Sequence, residues 1–159
     1  MIEDGPAESA PSHTIMSIAE HGARPVVLVA EDSENDRGTL RYAALVAQPQ
    51  FEFRFVHDGA QAVEYLKREG RYATAELFPL PKLLVMDFHM PKLNGLEVLS
   101  WLETSPEFKD LKIIMLTGSM NPQLLAILKQ KHALCFQKPV DLNSWVEFVR
   151  GLQMLLAKV

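Results

Sequence analysis

Short apolar runs alternate with segments of helical spacing over most of the chain. Five runs predict β-strands, at residues 26–30, 51–56, 83–86, 112–116 and 134–137. The first is continuous and rich in β-branched residues, which is typical of a strand buried on both faces. The segments between and after them predict helices at 34–47, 60–68, 96–104, 122–131 and 142–158.

Capping signals support these helix starts. Asn94, Asn121 and Asp141 each precede a predicted helix, and Asn and Asp are favoured N-cap residues. Pro122 suits the first turn of its helix. Five β/α units within about 130 residues predict an α/β fold, a doubly wound parallel sheet with helices on both faces.

The first part of the chain does not share this rhythm. Residues 1–24 hold Gly5, Pro6, Pro11 and Gly22 among small polar residues. We expect a flexible N-terminal leader over 1–24 and one folded domain over 25–159, since 159 residues suit a single domain.

Composition narrows the class of protein. A formal net charge of −4 gives no general attraction to nucleic acid or anionic lipid, so we expect no direct DNA binding and no membrane association. The single cysteine excludes an intrachain disulfide and a Cys-rich zinc site. No secretory signal and no apolar run of about 18 residues is visible, so we expect a cytoplasmic protein.

Polar residues follow the predicted strands where a ligand would bind. Strand one is followed by Glu31 and Asp32, and the third, fourth and fifth by Asp87, Thr117 and Lys138. In doubly wound sheets the ligand crevice lies beyond the carboxyl ends of the strands. Two carboxylates about 4 Å apart repel by about 4 kcal/mol at an effective dielectric constant near 20, so the acids call for a cation. Oxygen ligands alone favour Mg²⁺.

This set of residues suits chemistry at a phosphoryl group. Asp87 would act as a nucleophile and form an acyl phosphate. Asp32 and Asp87 would hold Mg²⁺, with Glu31 reaching it through water. Thr117 and Lys138 would bind the remaining phosphoryl oxygens.

Four segments, in this order and at these strand ends, resemble the receiver domain of two-component response regulators. They are 29–32 (VAED), 86–95 (MDFHMPKLNG), 116–119 (LTGS) and 138–140 (KPV). The resemblance spans roughly residues 25–158. It implies a flavodoxin-like sheet with strand order 2-1-3-4-5.

The resemblance also implies roles for individual residues. Asp87 would accept a phosphoryl group from a histidine kinase or a phosphotransfer histidine. Mg²⁺ would be bound by Glu31, Asp32, Asp87 and the backbone carbonyl of His89. Thr117 would be the switch hydroxyl, and Lys138, followed by a cis peptide to Pro139, would sense the phosphoryl group.

Further positions would tune the switch. By the same resemblance, the side chains of His89 and Ser119 would set the dephosphorylation rate, and Gly118 would leave the pocket open to a donor. The family carries an aromatic residue three positions before the lysine. Here that position is Cys135, and Phe136 follows it, so either the fifth strand is one residue short or the coupling to the threonine is altered.

The last predicted helix has two apolar strips. One arc of about 120° holds enough apolar residues to cover the sheet, and Phe148 and Leu155 fall outside it. These two are either scattered surface residues or part of a homodimer surface formed by the last helix and the fifth strand. The long connection 70–81 resembles that of stand-alone receivers paired with phytochrome-type kinases.

We therefore expect a single-domain response regulator of a phosphorelay. With no residues left for an effector domain, it would signal by a phosphorylation-dependent conformational change and protein contact. It would not be an enzyme, beyond catalysing its own phosphorylation and dephosphorylation. Two alternatives stay open: a pseudo-receiver that only binds partners, and an aspartyl phosphohydrolase. The latter is disfavoured because His89 stands where such enzymes have a second acid.

Overall fold

Five parallel strands form one sheet in the order β2-β1-β3-β4-β5 in the computed structural model, which describes residues 22–158. The strands are β1 (Val26–Ala30), β2 (Glu52–Val56), β3 (Leu83–Asp87), β4 (Lys112–Thr117) and β5 (Leu134–Gln137). The helices are α1 (Glu34–Ala47), α2 (Gly59–Lys67), α3 (Gly95–Glu103), α4 (Pro122–Gln130) and α5 (Leu142–Ala157). The predicted fold class and strand order are thus confirmed.

Two apolar cores cover the two faces of the sheet. Because successive residues of a strand point to opposite faces, Leu28 of β1 packs on the α2, α3 and α4 side while Val27 packs on the α1 and α5 side. Every residue of β1 and β3 is buried, as expected for central parallel strands. On the second face Trp145 of α5 is almost fully buried against the sheet.

Side-chain caps fix where the helices begin. The predicted caps are confirmed: the side chains of Asn94, Asn121 and Asp141 each accept a backbone N–H from the first turn of α3, α4 and α5. Asn94 forms a reciprocal capping box with Glu97, whose carboxylate accepts the Asn94 N–H at 2.7 Å. Ser33 caps α1 in the same way by accepting the Asp36 N–H.

The long connection before β3 folds back on α2. Its first residues form a 3-10 turn (Gly70–Tyr72), and the rings of Tyr72 and Phe78 pack against Tyr65 at centroid distances of 5.1 and 5.9 Å. The Tyr65 hydroxyl donates to the Pro79 carbonyl at 3.0 Å. This aromatic cluster anchors the connection to α2 through Tyr72 and Phe78, while most of its other residues stay exposed.

Two of the expectations concern the N-terminal leader and association with a membrane. Residues 1–21 of the predicted leader lie outside the described residues, while residues 22–24 have no regular structure and are exposed. Within 22–158, no helix has the length and apolar character needed to cross a membrane.

Candidate functional site

The carboxyl ends of the strands bring the predicted polar residues to one edge of the sheet. Backbone hydrogen bonds continue the sheet just beyond the strands. The Glu31 N–H donates to the Val56 carbonyl at 3.1 Å, and the Lys138 N–H donates to the Thr117 carbonyl at 2.8 Å. The side chains that follow β1 and β5 are therefore held by the sheet itself.

Three carboxylates meet at this edge. One oxygen each from Glu31, Asp32 and Asp87 lies within 4.8 Å of the others. Glu31 and Asp87 are buried, and Asp32 is exposed. In an octahedral Mg²⁺ shell with bonds of 2.0–2.1 Å, ligand oxygens lie about 2.9–4.1 Å apart, so only a small closure is needed. Oxygen donors at this spacing, with one carboxylate open to water, fit Mg²⁺.

Lys138 lies beside these acids and contacts three carboxylates at once. Its Nζ is 2.6 Å from Asp87 Oδ2, 2.7 Å from Glu31 Oε2 and 2.8 Å from Asp36 Oδ2. An ammonium has three N–H donors, the same number as the carboxylates in contact with it. Burial alone would lower the pKa of Lys138, but the hydrogen bonds to Asp36, Asp87 and Glu31 outweigh it and raise the pKa.

The pKa of Glu31, one of the two buried acids at this edge, is also raised. Burial raises the pKa of Glu31 more than the hydrogen bond from Lys138 lowers it. Its Oε1 also accepts the Ser33 N–H at 2.9 Å. The ammonium therefore only partly compensates the charge that burial disfavours, which leaves Glu31 suited to a divalent cation.

Two further residues of α1 belong to the site, and the sequence prediction missed both. Asp36 supplies the third carboxylate on Lys138. The buried Arg37 donates through Nη1 to the carbonyls of Glu31 at 2.7 Å and Asp32 at 2.9 Å, which fixes the β1–α1 loop. The signal for Asp36 was its place in the first turn of α1, directly after the acidic strand end.

Asp87 is held on both of its oxygens. Lys138 occupies Oδ2, and the backbone N–H of His89 donates to Oδ1 at 3.1 Å. The His89 side chain is exposed at the rim. The expected role of the His89 carbonyl as a metal ligand stays a prediction.

Thr117 ends β4, which lies in the sheet between β3, which ends at Asp87, and β5, which Lys138 follows. Its hydroxyl donates to the Ser119 carbonyl at 3.0 Å and accepts the Ser119 N–H at 3.2 Å. Thr117 is buried, whereas Gly118 and Ser119 are exposed. A Cβ built at Gly118 would have no atom within 4 Å, so this part of the rim is open.

Neighbouring residues of β5 face opposite sides of the sheet. Cys135 pairs with Met115 and packs on the α4 side, where its Sγ lies 3.6 Å from Met120 Sδ. Phe136 lies on the α5 side, is 41% exposed, and its ring centroid is 6.2 Å from that of Phe148. By this register Cys135, not Phe136, shares a face with the side chain that ends β4.

The peptide bond before Pro139 differs from what the resemblance implied. No cis bond occurs within 22–158, so the bond between Lys138 and Pro139 is trans. The short contacts of the Lys138 side chain with the acids form in this arrangement.

An apolar groove adjoins the site along β5 and α5. It has a volume of about 550 Å³, and Phe136, Val140, Phe148 and Leu155 are among its lining residues. Val140 is 91% exposed at its rim. The second apolar strip of the last helix therefore lines one continuous groove, together with the residues around Lys138.

The sequence of the chain also matches a known protein family. Residues 27–150 match the family described as the response regulator receiver domain, and the chain belongs to that family. It is 27% identical over 129 residues to the response regulator Rcp1 of a Synechocystis strain, covering 80% of this chain and 86% of Rcp1.

Solved structures with this fold include regulators from light signalling. A response regulator in red light signalling of R. palustris, RPA3017, superposes with a TM-score of 0.74 at 29% identity, covering 80% of this chain and 90% of that one. The phosphorylated cyanobacterial phytochrome response regulator RcpA also gives 0.74, at 27% identity, covering 86% of this chain and 97% of that one.

Proposed function

We propose that this receiver domain accepts a phosphoryl group on Asp87 from a histidine kinase or a phosphotransfer histidine. The observation that carries the proposal is the position of the Asp87 carboxylate, which lies within 4.8 Å of Glu31 and Asp32 oxygens and 2.6 Å from Lys138 Nζ. This is the arrangement that a carboxylate nucleophile needs beside groups that neutralise a phosphoryl oxygen.

The transfer moves a phosphoryl group from nitrogen to oxygen. A carboxylate oxygen of Asp87 forms a bond to phosphorus while the bond from phosphorus to the donor imidazole nitrogen breaks, and that nitrogen keeps the electron pair. Glu31, Asp32 and Asp87 would hold Mg²⁺, which supplies positive charge to the phosphoryl oxygens. Lys138 stabilises the remaining charge through its ammonium.

Three tuning positions complete the proposal. The Thr117 hydroxyl donates to the Ser119 carbonyl in this structure. Because a hydroxyl rotates about a single bond, it can leave that carbonyl and donate to a phosphoryl oxygen instead. Gly118 leaves the approach open. Cys135 takes the place of the family's aromatic residue, so the response to phosphorylation would rely less on an aromatic side chain moving near Thr117.

The decisive experiment is intact mass after incubation with acetyl phosphate and Mg²⁺. The wild type should gain one phosphoryl group, and Asp87→Asn should gain none. Asp110→Asn, which removes an exposed acid elsewhere, should behave as the wild type. Sustained phosphate release over many turnovers would instead support the aspartyl phosphohydrolase. If histidine kinases as well as the small donor fail to label Asp87, the pseudo-receiver alternative is correct.

The names of two relatives support a proposal for the class of donor. RcpA is named a phytochrome response regulator and RPA3017 a regulator in red light signalling, so we propose a phytochrome-type histidine kinase as the donor. We propose that the chain acts in the cytoplasm, together with the kinase that supplies its phosphoryl group. Phosphotransfer assays with a panel of histidine kinases test the proposed donor, because the cognate kinase should transfer fastest.

We propose that two copies of the chain form a homodimer through the groove between β5 and α5, and that this contact passes on the signal. Exposed apolar side chains at a groove mark contact sites, and here they include Val140 at 91% and Phe136 at 41% exposure. Val140→Asp places a charge at the rim without touching the core. If the dimer forms there, light scattering should show a smaller mass for this variant than for the wild type after phosphorylation. Equal masses would exclude this surface.

A further inference from the structure

Asp36 contacts Lys138 but lies outside the group of acids that fits Mg²⁺. Its Oδ2 is 2.8 Å from Lys138 Nζ, a contact comparable with those of Glu31 and Asp87. Asp36 belongs to the first turn of α1 and not to a strand end. The phosphoacceptor role proposed above gives it no task.

The number of donors on Lys138 makes this third contact significant. Three carboxylate oxygens lie around the ammonium nitrogen, at 2.6, 2.7 and 2.8 Å, which is as many as it has N–H donors. A phosphoryl group on Asp87 would bring new acceptor oxygens and more negative charge to the same place. Phosphorylation turns the Asp87 carboxylate into an acyl phosphate, so the contact with Asp87 can pass to one phosphoryl oxygen. Lys138 can bind a second phosphoryl oxygen only if it also releases Glu31 or Asp36.

Exposure decides which partner is released at least cost. The Glu31 side chain is 4% exposed, and a buried carboxylate left without its cation is strongly disfavoured. The Asp36 side chain is 33% exposed, so water can replace the ammonium there. Asp36 is therefore the partner that exchanges.

We propose that Asp36 is a positioning residue that holds Lys138 while Asp87 is unphosphorylated and yields it to the phosphoryl group afterwards. The inference rests on the proposed function. Before phosphorylation, Asp36 shares the ammonium, which reduces its competition with Mg²⁺ for Glu31 and Asp87. After phosphorylation, Asp36 competes with the phosphoryl oxygens for the same ammonium and shortens the life of the acyl phosphate.

The two effects have opposite signs, and this makes the test specific. Asp36→Asn keeps the shape of the side chain and removes its charge. It should weaken Mg²⁺ binding to the unphosphorylated protein and lengthen the phosphoryl half-life at saturating Mg²⁺. Each change should be roughly two- to fivefold, as for a partly exposed ion pair. Calorimetric titration with Mg²⁺ alone gives the first, and decay of the mass adduct after removal of acetyl phosphate gives the second.

Glu34→Gln is the matched control. Glu34 lies in the same first turn of α1 and is exposed, so its neutralisation makes the same change to net charge and to the helix N-terminus. It should leave both measurements at wild-type values. Equal effects from Glu34→Gln and Asp36→Asn would show a general charge effect and overturn the inference.

Other outcomes are equally decisive. If Asp36→Asn only loosened the β1–α1 loop, it would both weaken Mg²⁺ binding and shorten the phosphoryl half-life. That combination would overturn the positioning role. Unchanged values in Asp36→Asn overturn it as well. If the wild type forms no adduct, the proposed function fails and this inference with it. If all variants form adducts that decay at one rate, only this inference fails.

Discussion

Gly59 opens α2 at a position where no side chain fits. A Cβ built there would lie 2.1 Å from the carbonyl oxygen and 2.8 Å from the carbonyl carbon of Leu93. Ordinary van der Waals contact begins at 3.4 Å, so the overlap with the oxygen exceeds 1 Å and involves backbone, which has no rotamer to change. Gly59→Ala must therefore push α2 away from the β3–α3 loop, and overpacking of this kind costs about 1–3 kcal/mol.

Gly38→Ala is the control that should change stability in the opposite direction. Gly38 lies within α1, is exposed, and a Cβ there would have no atom within 4 Å. Alanine is favoured over glycine in a helix by about 0.8–1.0 kcal/mol, so this variant should be more stable than the wild type.

Urea unfolding followed by circular dichroism measures both variants. The free energy of unfolding should fall by about 1–3 kcal/mol in Gly59→Ala and rise by up to about 1 kcal/mol in Gly38→Ala. The slope with urea should stay constant, because neither change alters the surface exposed on unfolding. A Gly59→Ala protein as stable as the wild type would refute the reasoning, since the loop would then yield without cost.

Two further predictions concern a cap and the thiol. Asn94→Ala removes the side-chain acceptor of the Glu97 N–H, which is one of the two hydrogen bonds of the capping box, and should lower the free energy of unfolding by about 1 kcal/mol. Asn94→Asp should retain most of that stability, and urea unfolding measures both variants. Burial raises the pKa of the Cys135 thiol, so at any pH below that pKa less thiolate is present than in an unfolded chain. Iodoacetamide should therefore label folded protein more slowly at pH 8 than protein in urea, as followed by intact mass; equal rates in both would contradict this.

Much of the fold could be predicted because its signals are local. The run at 26–30 and the cap at Asn121 depend only on neighbouring residues, and the structure has β1 and α4 starting where the sequence indicates. The acids at the strand ends could be predicted for a second reason. Parallel strands bring their carboxyl ends to one edge, so Asp32 and Asp87 had to come close once the alternation was recognised.

Other features depend on tertiary geometry that spacing does not encode. Whether Asp36 reaches Lys138 depends on how α1 leaves the sheet, and the Arg37 contacts to the β1–α1 loop set that direction. The packing of 70–81 likewise depends on three aromatic rings that are apart in sequence. The resemblance predicts a cis bond before Pro139, and that prediction is wrong because the structure has a trans bond there.

The position of Lys138 links the candidate site to the apolar groove. Its ammonium contacts Asp87 at 2.6 Å, while Lys138 itself, with Phe136 and Val140, lines the groove beside α5. A partner bound in that groove would therefore touch Lys138, which contacts the proposed phosphoacceptor. Coupling of this kind is reciprocal: if phosphorylation changes the affinity for the partner, the partner changes the stability of the acyl phosphate by the same factor. Phe136 lies one position after the one where the family carries its aromatic residue, and its exposed ring lines the groove. The small Cys135 lies instead on the same face of the sheet as Thr117.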